Sequence, residues 1–491
     1  MRLSKIEFTN FRCFRSEAIE FGDYTSLVGP NNCGKSTALR ALNLFFGGAS
    51  PRASNISAED FYIGAAVEDE LRLRFEFVGV TGQAANEMAH YVRNERLVFE
   101  ILATRNEKGV ISSRCRGIRY GLLELVNFFA AATAGEKRPI YEALQVKYPD
   151  EIPTWRNMQQ AGEAIRAFEA SKPSEHVAIP SEESAYGATG PIPKLKKFID
   201  WIYVPAVKDA STEASEQRES AFSKLISFAV RNRCDFSEQI TRIKTEASEA
   251  LRSALGEAES VLAEVGGEIN REFKNLTATP IDVAIEWGQL DEIAVREPVI
   301  RSIFKDGRVL GGPEIFGHGL QRTYLMALLS LAARAQGGND NFRLLLGIEE
   351  PELYQHPPQS RFLASALADL SANSCQVIVT THSPHFISGR TFESVRVLRK
   401  RENATRVNSW TIDQQRAYVA ERKGVAPIGA NAALSGIDRT LQTSIAEMFF
   451  AGKIVLVEGP EDIALIEAYL RNVGNDLRPN FPPFFGRVLG F

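Results

Sequence analysis

One stretch constrains this chain more than any other: Gly29-Pro30-Asn31-Asn32-Cys33-Gly34-Lys35-Ser36-Thr37. It fits G-x-x-x-x-G-K-[ST], in which two glycines let the backbone curl until successive amides point at phosphate oxygens. In that pattern Asn31, Asn32, Gly34 and Thr37 line the cradle, Lys35 reaches the β- and γ-phosphates, and the Ser36 hydroxyl ligates Mg²⁺. The flanks agree. Tyr24 to Val28 reads as a short buried strand, and Thr37 to Phe46 as a helix whose N-terminus faces the anion. A chain carrying this loop is expected to be an α/β protein that binds ATP with Mg²⁺.

Length leaves room for much more. At 491 residues the chain can hold about three domains. A net charge of −4 excludes a uniformly basic coat, so DNA contact requires a local patch. The five cysteines (Cys13, Cys33, Cys115, Cys234 and Cys375) include no C-x-x-C pair. That pattern fits a reducing cytoplasm without structural zinc. No apolar run approaches the roughly 18–20 residues that span a membrane, and Met1 to Asn10 reads as a charged strand rather than a leader. A cytoplasmic protein without membrane contact is the expectation.

Taken in order, Leu3, Ile6 and Phe8 mark a first strand, followed by Asn10-Phe11-Arg12-Cys13-Phe14. Two uses of this turn are open: Arg12 approaches a nucleotide, or Phe11 and Phe14 pack into the core. Leu71 to Phe77 and Leu97 to Thr104 read as strands. Residues 120–190 read as helices joined by a mobile polar segment from Pro173 to Gly190, and Lys194 to Lys197 as a solvated basic face. Ile199 to Ala206 is a buried strand. From 213 to 276 apolar residues recur at three- and four-residue steps, Ile240 through Leu276, giving a long amphipathic helix that Gly266-Gly267 can kink. It suits a dimerisation arm or packing on its own domain. Residues 278–310 return to strands.

A second block of motifs follows. Phe316-Gly317-His318-Gly319-Leu320-Gln321-Arg322-Thr323 opens an apolar helix from Tyr324 to Ala335. Phe342 to Glu352 is an apolar strand ending in Glu349-Glu350-Pro351-Glu352. A buried strand delivers carboxylates to its C-terminal end, where Glu349 can hold Mg²⁺ and Glu350 can orient and deprotonate a water. Gln376 to His385 is a further buried strand, and its His382 can hydrogen-bond a γ-phosphate. More than three hundred residues separate Ser36 from Glu349, while Gln321 precedes Glu349 by 28 (321 to 349). The nucleotide fold is therefore split by a large insertion, with a glycine loop just before the acidic strand.

This arrangement resembles the ABC-type ATPases of the SMC, Rad50 and RecF kind. The resemblance implies a composite site, with Gly317, Gly319 and Gln321 contacting ATP across a dimer. The chain has G-H-G-L-Q where the family has L-S-G-G-Q, and it shows no lid-loop glutamine; Asp60 is a weak substitute.

The C-terminal part sharpens the resemblance. Ser394 to Leu398 and Arg406 to Ile412 suggest a hairpin around the basic turn Arg399-Lys400-Arg401, with helices over 413–447. Gly452 to Ile466 then reads strand, Glu458, glycine turn and helix, with Asp462 placed to share a cation with Glu458. After an ABC head this looks like the start of a Toprim domain, an order similar to the OLD (overcoming lysogenisation defect) family of ATP-dependent nucleases. That likeness implies an α/β fold: an ABC-type P-loop ATPase head with a helical dimerisation insertion and a partial C-terminal Toprim-like segment. Its parts would be an N-terminal lobe (1–206), a helical arm (207–277), a C-terminal lobe (278–412) and linker helices with the Toprim-like start (413–491). It implies a homodimer or higher oligomer acting on DNA, in many members against phage. The 29 residues after Asp462 hold no D-x-D to complete the Toprim metal site. Two readings follow: an OLD-type ATPase–nuclease whose Toprim part is interrupted, or an ATP-gated DNA-binding subunit, RecF-like, whose nuclease or effector is a separate partner.

Overall fold

The computed structural model describes residues 1–47, 56–89, 91–131, 133–182, 195, 197–206, 225–226, 237–276, 285, 302–307, 309–312, 315–334, 343–353, 355–372, 375–441, 446–451, 455, 457 and 459–473. Two six-stranded sheets carry the architecture. Strands β1 (Arg2–Phe11), β2 (Phe14–Glu20), β4 (Leu71–Val78), β5 (Leu97–Arg105), β6 (Ile111–Gly121) and β7 (Val177–Glu182) form an antiparallel sheet in the order β2-β1-β4-β5-β6-β7. The second sheet contains β3 (Tyr24–Val28), β8 (Ile199–Val204), β11 (Arg343–Glu349), β12 (Cys375–Thr381), β13 (Val395–Arg401) and β14 (Ala404–Asn408). Its order is β14-β13-β3-β12-β11-β8, parallel throughout except for β14. A small hairpin, β9 (Phe304–Asp306) and β10 (Val309–Gly311), stands apart.

The residue pattern explains the difference between the sheets. β4 alternates, burying Leu71, Leu73, Phe75 and Phe77 while Arg72 faces solvent, as suits a sheet covered on one side. β3 and β12 are buried at every position, as suits a sheet covered on both. Helix α1 (Lys35–Phe46) lies between the sheets. Its Phe45 ring stacks on Phe75 at 4.4 Å and shares a core with Leu27, Leu345 and Ile378. The opposite face of the parallel sheet is covered by two helices that come later in the chain.

The insertions fold locally. After β6, α2 (Ala134–Lys147) and α3 (Met158–Ser171) enclose their own core from Leu122 to Phe168. Arg119 and Glu169 form a buried ion pair at 2.8 Å beneath it. Two helices, α4 (Ser237–Glu257) and α5 (Glu259–Leu276), form the long amphipathic stretch; most of 207–236 lies outside the described residues. Then α6 (His318–Arg334) and α7 (Pro357–Ser371) pack on the parallel sheet, contributing Leu325, Leu329, Leu363 and Leu367 to the core beside Leu344 and Val377. α8 (Ile412–Lys423), α9 (Ala430–Thr440) and α10 (Pro460–Val473) follow β14. No helix among the described residues is long and apolar enough to cross a membrane.

Four expectations change. Val177 to Glu182, read as mobile, is a strand. Pro180 sits there because β7 is the sheet edge, where a missing amide costs least. The long helix breaks at Ala258 rather than at Gly266-Gly267, which lie inside α5. The glycine loop leads straight into α6, which begins at His318 rather than Tyr324. Finally, the C-terminal hairpin turns at Glu402-Asn403, both at positive φ (50° and 66°), so Arg399 to Arg401 belong to β13 and not to the turn.

Gly347 shows how tightly the sheet is fitted to α1. A Cβ there would meet the Trp201 ring at 2.1 Å, and the Trp201 indole donates to Asn43 Oδ1 on α1 at 2.7 Å. Gly347→Val should therefore destabilise the chain by about 1–3 kcal/mol through overpacking. An unchanged urea midpoint would contradict this packing.

Candidate active site

In an open parallel sheet, ligands bind beyond the C-terminal ends of the strands. Here β3, β12 and β11 are neighbours, and the three sequence motifs sit directly at those ends. Register fixes their relative depth: Thr381 pairs with Val28, and Glu349 with Thr380. The phosphate loop, the acidic pair and His382 thus emerge side by side.

The loop is shaped as the spacing predicts. Gly34, at φ 101°, caps α1, and a Cβ there would strike Cys13 Sγ at 2.6 Å, so only glycine fits. No side chain caps the helix and its first turn carries no acid, which leaves the N-terminal amides open to an anion. Lys35 is buried and donates from Nζ to the Gly29 and Pro30 carbonyls, both at 3.0 Å. Burial lowers its pKa, opposed by Cys33 and by the carboxylates of Glu350, Glu352 and Glu349. One ammonium therefore feels all three acids from the far strand. Ser36 is exposed at the mouth, and Thr37 is half-buried with its hydroxyl 3.7 Å from Cys13 Sγ. Thr405 of β14 closes the loop from behind, donating to the Cys33 carbonyl at 3.0 Å. Asn31 and Asn32 are exposed, Asn32 at φ 60°.

In the turn before the loop, the packing of Phe11 and Phe14 into the core is what the structure shows. Phe11 and Phe14 are fully buried, while the Arg12 guanidinium is partly exposed. Arg12 is held by Asp60: Nε donates to Oδ1 at 2.7 Å, and Arg40 reaches Oδ2 at 3.4 Å. Burial alone would raise the Asp60 pKa, but the Ser57 amide, Arg12 and Arg40 outweigh it and bring it below the usual carboxylate value. Asp60 is thus committed to its arginines.

At the acidic strand, Glu350 adopts φ 41°, a left-handed conformation uncommon for a side chain of this size, while its amide still donates to Thr380 O at 2.8 Å. Its Oε1 lies 3.7 Å from His382 Nε2. Glu349 faces Tyr203 of β8, whose hydroxyl is pushed well up by burial and by that carboxylate. His382 Nε2 is buried and has no hydrogen-bond partner among the described residues. Burial and the Lys35 charge lower the His382 pKa to about 4, so the ring is neutral at pH 7. Its ring centroid lies 5.9 Å from that of Phe450, the two rings tilted by 42°.

Gly317 and Gln321 belong to the loop and first turn that open α6. The Gln321 amide donates to Phe316 O at 2.8 Å, within its own loop, and Gly317 is exposed; Gly319 lies in the first turn of α6. Asp462 accepts from the Gly459 amide at 3.2 Å near the start of α10, and Glu458 lies outside the described residues. Among the described residues, no three His, Cys, Asp or Glu side chains gather to hold a metal. Sequence reasoning missed Tyr203, Glu352 and Arg399. The Arg399 guanidinium donates to the carbonyls of Met448, Phe449 and Ala451. Only Glu352 had a local signal, as the last acid of Glu349-Glu350-Pro351-Glu352.

The family model described as an AAA ATPase domain matches residues 1–387. The chain is 24% identical to the Old nuclease of Escherichia phage P2, over 98% of this chain and 72% of that protein. It is 22% identical to the OLD nuclease of Thermus scotoductus, over 94% and 72%. A crystal structure of an Smc head bound to the C-winged helix domain of ScpA covers 84% of this chain and 100% of its own, at 12% identity and a TM-score of 0.40.

The depressed His382 pKa has a signed consequence. Between its ordinary value of 6.5 and about 4, the unfolded chain binds a proton that the folded chain refuses. Stability from this group is therefore full above pH 6.5 and falls as pH drops toward 4. Replacing His382→Asn should flatten the decline of the urea midpoint between pH 6.5 and 4.5; an identical decline would contradict the buried neutral ring.

Proposed function

The chain belongs to the AAA ATPase domain family and is an ATPase of OLD type, and from that premise we propose that it hydrolyses ATP at sites shared between two subunits and uses the cycle to control binding or cleavage of DNA. The observation that carries this reading is the convergence of Lys35, Glu349, Glu350 and His382 at adjacent ends of one parallel sheet.

Each residue has a role that its surroundings support. The uncapped start of α1 and the Lys35 ammonium bind the phosphates, with Asn31, Asn32, Gly34 and Thr37 lining the cradle. Arg12, oriented by Asp60, adds a second cation at the mouth. Ser36 and Glu349 are two oxygen donors, which suits Mg²⁺, an ion that keeps waters and shares phosphate oxygens rather than demanding a full protein cage. When bound, Mg²⁺ would neutralise phosphate charge. Glu350 orients and deprotonates the attacking water. Neutral His382 offers an imidazole hydrogen bond to the γ-phosphate and so senses its presence.

A second subunit supplies Gly317, Gly319 and Gln321. Within one chain, the Gln321 amide is turned onto its own loop, donating to the Phe316 carbonyl. The arm supports pairing, because Ile243, Leu251, Val261, Val265 and Ile269 are exposed along α4 and α5. Two copies meeting there would bury them. We assign the output to DNA, in defence against phage, with Glu458 and Asp462 as the candidate start of a metal site and a separate nuclease subunit as the alternative effector.

The test compares wild type with Glu350→Gln. The variant should keep ATP affinity within a few-fold while turnover falls by about 100-fold or more, and ATP should trap it as a dimer in size-exclusion chromatography. Wild-type turnover in the variant would put the base elsewhere. The same preparations incubated with DNA and Mg²⁺ or Mn²⁺ report the output: cleavage lost in Glu458→Ala assigns the nuclease to this chain, and hydrolysis without cleavage assigns it to a partner.

A further inference from the structure

Glu352 has no role in the reading above, yet it is the most deeply engaged acid of its motif. It follows β11, three residues after the strand ends, and reaches across to the end of β12. There its Oε1 accepts from the His382 backbone amide at 2.6 Å and from the Thr381 hydroxyl at 2.9 Å. Thr381 Oγ1 in turn accepts from the Ser383 amide at 2.9 Å. One carboxylate oxygen therefore fixes three consecutive residues, with His382 in the middle.

A purely structural explanation accounts poorly for this acid. Its other oxygen, Oε2, is buried with no hydrogen-bond partner among the described residues, a costly state for a carboxylate. Burial, with Glu350 adding to it, raises the Glu352 pKa against the pull of the His382 amide and Thr381. The acid also lies in the field of Lys35 and beside Tyr24, at the floor of the site. The group it fixes is one whose own Nε2 is buried, without a hydrogen-bond partner among the described residues and 3.7 Å from Glu350.

We infer that Glu352 is the positioning residue for His382: it clamps the backbone of the histidine so that the imidazole is held against Glu350, and it couples the acidic strand to the histidine strand during ATP turnover. This inference rests on the assignment of the ATPase site above. The physical logic is geometric. The histidine follows β12, and beyond Thr381 the sheet no longer holds the chain, since β11 has already ended at Glu349. Charge-assisted hydrogen bonds from a backbone amide and a hydroxyl replace the lost ladder. Turnover then depends on Glu352 through His382, and nucleotide affinity, set by Lys35 and α1, does not.

Four variants test this: Glu352→Ala, Glu352→Gln, His382→Ala and the double Glu352→Ala/His382→Ala, with kcat and KM for ATP and the affinity for a fluorescent ATP analogue. Glu352→Ala should lower kcat roughly tenfold while affinity changes less than about threefold. Glu352→Gln, which keeps an acceptor for the His382 amide, should recover most of that loss. The double variant should be no slower than His382→Ala alone, because a residue acting through the histidine has nothing left to position. Additive losses in the double variant, or a loss in affinity with kcat unchanged, would overturn the inference. If Glu352→Ala does not fold, Thr381→Val removes one of the two contacts and keeps the carboxylate; it should lower kcat in the wild type and leave it unchanged in a His382→Ala background, and a loss in both would overturn the inference equally. A wild-type protein without ATPase activity would instead remove the site assignment itself.

Discussion

A buried lysine held by two loop carbonyls and lying in the field of three carboxylates is the constraint on which the rest of the structure depends. Lys35 is almost wholly removed from water, and an unpaired buried cation is costly enough to neutralise itself or unfold its surroundings. Two loop carbonyls and the field of Glu349, Glu350 and Glu352 offset that cost. The loop belongs to β3 and the acids to β11, so the balance holds only if β12 lies between them and the three strands end at one level. The register of the parallel sheet meets that condition.

The antiparallel sheet serves the parallel one. Its apolar face, with Phe75, Phe77 and Phe99, covers α1 from outside, while the parallel sheet covers it from inside. α1 is therefore locked on both sides, and its N-terminus is aimed at the loop with little freedom to tilt. Turn residues 10–12 and the 57–62 segment extend this cover to the mouth, where Asp60 ties Arg12 and Arg40 together. On the other flank, Arg399 gathers three carbonyls of residues 448–451, and Phe450 rests near the His382 ring. The segment leading to α10 thus touches the same histidine that faces Glu350.

Much of this was legible locally. Strands β3, β4, β5, β8, β11 and β12 announce themselves by alternation or by unbroken apolar runs, and the loop by its glycines and lysine. β7 was hidden because an edge strand with Pro180 and polar neighbours resembles a loop. β6, with Ser112, Ser113, Arg114 and Arg116, lacks the apolar run that marks a buried strand. Arg399 read as a solvating turn residue because its partners lie about fifty residues onward. The pairing of Asp60 with Arg12 was hidden for a similar reason: nothing near it in sequence reveals that Arg12 will arrive beside it.

The sequence by itself determined which chemical groups stand at strand ends: an anion cradle after Val28, paired acids after Ile348 and an imidazole after Thr381. Local spacing suffices for that, since each group is a few residues from the strand that carries it. Only the tertiary structure decided that these ends are neighbours, that Glu352 rather than solvent holds His382, and that Arg12 is oriented by Asp60. Those contacts join residues tens to hundreds of positions apart, and their partners are chosen by strand order and burial, which no local periodicity encodes.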